Sequence, residues 1–118
     1  MLDHVRVPVR DLQTSRTFYQ PIMDSLGAQV VFDAPGVLIY GTGDGAIALS
    51  EQDDFSPVHV AFRTDRPGVD AFYAAAMSAG GTDNGAPGLR PHYHEHYYAA
   101  FVHDPDGNNV EAVCHQPV

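Results

Sequence analysis

A chain of 118 residues, 44% hydrophobic and 18% charged, has the length and composition of one folded domain, not of a disordered segment. Six basic residues against fifteen acidic ones leave a formal net charge of −9, with no basic stripe for nucleic acid, and no apolar run nears the ~20 residues that span a bilayer. The N-terminus MLDHVRVPV reads as a strand and not as a signal peptide, and the single Cys114 cannot form an internal disulfide, which points to a reducing cytoplasm.

Residues 3–9 alternate, with Val5, Val7 and Val9 on one face and His4, Arg6 and Pro8 on the other, the period of a strand. Asp11 is placed to cap a helix over 12–25, whose apolar stripe is Leu12, Phe18, Ile22 and Leu26. Pro21 is expected to kink or shorten it, and Gly27 suits its exit. Three short strands follow near 28–33, 36–41 and 45–50, separated by turns at Ala34-Pro35-Gly36 and Gly43-Asp44-Gly45. Residues 58–64 alternate again, with Val58, Val60 and Phe62 opposite His59, Ala61 and Arg63. A second helix covers 67–79, favoured by Ala74, Ala75 and Ala76, and a glycine-rich loop comes next. Residues 97–103 and 108–114 form a hairpin across Asp104-Pro105-Asp106-Gly107.

The order repeats. His4 and His59 each open a strand, and each strand leads into a helix carrying Phe-Tyr, with Met four residues after the Tyr. Tyr19 and Tyr73 are 54 residues apart, as are Met23 and Met77. The chain is therefore expected to be a single α+β domain over 1–118, built from two βαβββ modules, 1–54 and 55–118. Strands joined by short turns should pair antiparallel, giving curved mixed sheets around a cleft with the helices on the outer face.

In the last strand Val110, Ala112 and Cys114 share one face and Asn109, Glu111 and Val113 the other. If the first set packs under the helix, Glu111 faces the same way as His4 and His59. Two imidazoles and a carboxylate can hold a divalent metal and leave positions open for water or substrate. A lone histidine on a strand is more commonly a partly buried polar residue; here two occupy equivalent positions in related halves.

The duplicated module, the histidine opening each half, and the ending HDPDGNNVEAV resemble the vicinal oxygen chelate superfamily of glyoxalase, bleomycin-resistance and extradiol dioxygenase proteins. The resemblance spans essentially the whole chain and is more specific for fold than for reaction. It implies that His4, His59 and Glu111 are metal ligands, for zinc, iron, nickel or manganese. It also implies a fourth ligand late in the first half, where this chain reads GAIALSEQ. The turn alignment puts Ala48 or Leu49 there, with Glu51 reaching in only after a shift.

The implied activity is that of a metal-dependent, glyoxalase-like lyase or isomerase acting on a small molecule with neighbouring oxygens. The alternatives are an extradiol-type dioxygenase, suggested by three ligands without the fourth, and a non-catalytic bleomycin-resistance-like binder. A homodimer is expected, without nucleic acid or membrane partners. Glu51 and the alternating His92, His94 and His96 are the acid–base candidates, the histidines lying on one side of an extended segment or forming a polar loop over the cleft mouth. Tyr40, Arg63, Arg90 and Tyr97 are the substrate-binding candidates, Arg90 and the Tyr97 ring for an anionic or carbonyl-bearing substrate, Tyr40 and Arg63 as lining of the cavity. His115 is expected to face solvent.

Overall fold

A computed structural model describes all 118 residues. The first half runs β1 (His4–Val9), α1 (Leu12–Ser25), β2 (Gln29–Ala34), β3 (Val37–Thr42) and β4 (Gly45–Glu51). The second runs β5 (His59–Arg63), α2 (Arg66–Ser78), β6 (Thr82–Asp83), β7 (Gly88–Leu89), β8 (Tyr98–His103) and β9 (Asn109–Cys114). The expected helices and strands are all present. The glycine-rich loop adds two that periodicity did not reveal, because β6 and β7 are two-residue pairings with β8.

The first helix starts at the cap expected for it, and the second has a cap that the sequence reading did not name. Asp11 accepts from the Thr14 amide, and Asp65 accepts from the Gly68 amide at 2.8 Å. The first helix is not shortened at Pro21; it continues to Ser25. A mid-helix proline costs about 3 kcal/mol. Burial of Phe18, Ile22 and Met23, at ~1.5–3 kcal/mol each, outweighs it.

The strands form two mixed sheets, ordered β1-β4-β3-β2 and β5-β9-β8-β6. Consecutive strands pair antiparallel as expected, in β2–β3, β3–β4 and β8–β9. The closing strand of each half instead folds back parallel beside the opening one, β4 on β1 and β9 on β5. The histidine-bearing strands β1 and β5 are consequently edge strands.

One core joins the halves: Val7, Val9, Phe18, Ile22 and Leu49 of the first pack with Val60, Val69, Phe72, Val110 and Ala112 of the second. Neither helix covers the opposite face of either sheet, and on the second sheet Tyr97 and Arg90 of the loop before β8 lie against Glu111 and Phe101. Gly81 sits at the seam, where a Cβ would come within 2.4 Å of Val102 Cγ1 and 2.8 Å of Phe18 Cε1.

The Asp104–Asn108 turn is a buried polar knot. Asp104 accepts from the Tyr19 hydroxyl at 2.7 Å and from the Asn108 amide at 2.8 Å. The Asn108 side chain donates to Pro8 O and accepts from the Val58 amide, both at 2.9 Å. One turn thus ties β1, α1 and the approach to β5 together, with Gly107 at φ 84° supplying the left-handed residue. No helix is long and apolar enough to cross a membrane.

Candidate functional site

The parallel pairing of β5 with β9 sets His59 opposite Asn109 and Ala61 opposite Glu111. Alternation then places His59 and Glu111 diagonally on the open face. His59 Nε2 lies 2.8 Å from Glu111 Oε1, and the Tyr97 hydroxyl donates to Glu111 Oε2. Glu111 is 1% exposed, whereas about half of the His59 side chain is open to solvent. An unpaired carboxylate at that depth would be strongly disfavoured; the two hydrogen bonds offset its desolvation. The same environment pushes the Tyr97 phenol well above its ordinary value, through burial first and the bond to Glu111 second. It stays protonated at neutral pH.

A groove of about 870 Å³ opens between the start of β1 and β5, and His4, Tyr40, His59 and Arg63 all line it. Tyr40 is fully buried and its hydroxyl donates to Gln20 at 3.0 Å. Of the six arginines, Arg10 and Arg16 are in ion pairs, Arg66 lies over the Tyr98 ring, and Arg90 donates to the Gly88 and Ala86 carbonyls. Arg90, expected to bind substrate, thus spends its guanidinium on the loop that carries it. Arg6 and Arg63 make none of these contacts. Arg63 stands with His59 on the open side of β5. Arg6 stands beside His4, a position the alternation in β1 disclosed although its use as a free cation went unread.

The expected convergence of three ligands does not occur within one chain. His4 Nδ1 lies 2.7 Å from Asp3 Oδ1, and no cluster of three or more His, Cys, Asp or Glu could hold an ion. The reason is topological. His4 and His59 head edge strands of two separate sheets, and Glu111 lies one strand inside the second. The register also identifies the missing fourth position: Arg6 pairs with Ala48 as Ala61 pairs with Glu111, so a methyl group stands there. Glu51 does not reach in. Its carboxylate accepts from the Leu12 amide at 2.9 Å, at the start of α1.

The histidine segment is not extended, so its histidines do not share a side. It folds into two turns, closed by Tyr93 N to Arg90 O and Tyr97 N to His94 O. His92 packs on Tyr93, His96 lies 3.4 Å from Glu95, and His94 turns back to the C-terminal segment, its Nε2 2.8 Å from His115 Nδ1. His115 is exposed as expected, but not unpartnered.

The sequence pattern of the Glyoxalase/Bleomycin resistance protein/Dioxygenase superfamily matches residues 1–112. The chain belongs to that superfamily. Solved structures of the same fold agree with this membership. A glyoxalase/bleomycin resistance protein from Albidiferax ferrireducens T118 is 28% identical, with 97% of this chain and 98% of that one covered and a TM-score of 0.87. A glyoxalase/bleomycin resistance protein/dioxygenase family enzyme from Burkholderia phytofirmans PsJN is 22% identical over 97% and 98%, with a TM-score of 0.75. A lactoylglutathione lyase from Agrobacterium tumefaciens is 19% identical over 97% and 92%, with a TM-score of 0.72. At these last two identities the likeness is one of fold. A comparison with curated proteins finds no match.

As donors, His59 and Glu111 fit two neighbouring positions on a divalent ion, being an imidazole nitrogen and a carboxylate oxygen already side by side. One chain supplies no third donor beside them.

Proposed function

We propose that this superfamily member is a glyoxalase-like lyase or isomerase that works as a homodimer, with its metal shared between chains. His59 and Glu111 of one copy and His4 of a second would hold the ion. The observation that carries this reading is the His59–Glu111 pair, a carboxylate 1% exposed fixed beside a solvent-open imidazole on an edge strand. The other histidine-bearing strand is an edge as well, and exposed sheet edges favour association.

When bound, a divalent ion supplies Lewis acidity toward two adjacent substrate oxygens. The remaining work belongs to the chain. Met23, Leu26 and Phe62 form an apolar wall of the groove, and Arg63 offers an uncommitted guanidinium to an anionic or carbonyl group of the substrate. Tyr97 keeps its proton at the hydroxyl, facing Glu111 Oε2, and orients that carboxylate. The methyl group of Ala48 at the fourth position supports the three-ligand, extradiol-type dioxygenase as the second reading.

The test is complementation with Co²⁺ as the probe. His4→Ala and Glu111→Gln homodimers should each lose bound Co²⁺. A co-expressed heterodimer of the two variants has one site with every ligand intact and should recover part of the binding. Loss in both homodimers without recovery overturns the shared site. Undiminished binding by either variant overturns its ligand role. A wild-type chain that binds no divalent ion would belong with the non-catalytic binders.

A further inference from the structure

His94 is fixed in one tautomer by its own backbone. The His96 amide, which can only donate, points at His94 Nδ1 across 3.1 Å. Nδ1 therefore accepts, and the ring proton of neutral His94 is on Nε2. That proton faces His115 Nδ1 at 2.8 Å, so His115 accepts and carries its own proton on Nε2. The ring centroids are 5.1 Å apart with 21° between planes, about the span of the contact plus two ring radii. The rings thus meet nearly in plane, end to end, as a hydrogen-bonded pair does.

This pair encloses Tyr97, whose ring stands edge-on to both, with centroids 5.5 Å from His94 and 5.2 Å from His115. Tyr97 is the residue whose hydroxyl occupies Glu111 Oε2. The other groups around the pair leave its charge uncompensated. Tyr93 packs on Tyr97 at 4.8 Å, and His92 on Tyr93 at 4.2 Å. Glu95 lies 3.4 Å from His96, Arg90 adds a positive field at Tyr97, and Cys114 turns to Gln116 O. No carboxylate contacts either imidazole of the pair.

We propose that His94 and His115 are positioning residues, a clasp that holds Tyr97 on Glu111 only while both imidazoles are neutral. A second proton on His94 must go to Nδ1, where it meets the His96 N–H. A second proton on His115 must go to Nδ1, where it meets the His94 N–H. The first breaks the bond from the His96 amide that fixes the His94 ring and leaves the two rings joined, the second sets two donors against each other between the rings, and either loosens the segment. Protonation of the clasp thus releases the segment and frees one oxygen of the buried carboxylate. The clasp does not depend on whether Glu111 ligates an ion.

Nitrogen-15 spectra of the histidine rings at pH 8 read the tautomers directly, and amide exchange across residues 91–97 reads the clasp. Both His94 and His115 should carry their proton on Nε2. Protection of the Tyr97 amide, corrected for intrinsic exchange, should fall roughly three- to tenfold between pH 8 and pH 5, the equivalent of one hydrogen bond, while β9 stays protected. In His115→Phe, which keeps an aromatic ring but no acceptor, protection should start at the lower value and no longer respond to pH. An Nδ1–H tautomer at His94, or wild-type protection unchanged from pH 8 to pH 5, overturns the proposal. If His115→Phe does not fold, those two wild-type measurements decide it alone.

Discussion

The two halves share a scaffold and differ in what they put on it. Phe18 and Phe72, 54 residues apart, hold the same core position on their helices, and both closing strands lie parallel to their openers. At the repeat positions of Tyr and Met the first half is the more buried: Met23 is 1% exposed and Met77 36%. On the open faces the contrast runs the other way. The second half offers a carboxylate, Glu111, to its histidine; the first offers Ala48, and His4 turns to Asp3 instead. A duplicated backbone thus preserves the helix-side packing, while the open face is free to diverge.

The sharpest break of this comparison is at the two turns before the closing strands. Asn108→Ala removes a fully buried amide with partners on three sides and should cost about 3–4 kcal/mol in urea unfolding. Asp44→Ala, in the exposed turn of the first half, should stay within about 0.5 kcal/mol. Equal losses at both turns would mean that the knot is not what distinguishes the halves.

Next in size is an alkaline transition. Tyr19 is raised well above the ordinary phenol value, by burial first and by Asp104 second. A raised phenol contributes its full stability below the unfolded value of about 10, and that stability erodes as pH climbs from there through the folded value. Wild-type stability should therefore fall from pH 10 upward. Tyr19→Phe should start lower at pH 8 and fall less steeply; an identical slope would sink the assignment.

The smallest effect is expected at Glu51. Replacing it with Ala removes one acceptor at the start of α1, worth about 0.5–1 kcal/mol. Co²⁺ binding should be untouched, and a drop in binding would return Glu51 to the site.

How much was legible follows from the range of the forces. The strands at 4–9 and 59–63 and the Asp11 cap were readable because alternation and capping are set by neighbours in the chain. Asp104-Pro105-Asp106-Gly107 was readable as a turn, but not as the knot that joins β1, α1 and β5, since its partners lie up to 100 residues away. Pro21 was read as a helix breaker because its local cost is visible in sequence and the burial that overrides it is not. For His92, His94 and His96 the sequence left open an alternating row or a polar loop, and two backbone turns exclude the row.

By itself the sequence determined the two-module α+β plan, its family, and which side of each strand His4, His59 and Glu111 occupy, because periods of 2 and 3.6 are local properties of the backbone. Only the tertiary structure decided that β1 and β5 are edges of separate sheets, that Ala48 rather than Leu49 is the counterpart of Glu111, and that Tyr97 covers the carboxylate. Those outcomes depend on strand order and on contacts between residues far apart in the chain. Hydrophobic periodicity fixes the face of a residue, not its neighbours.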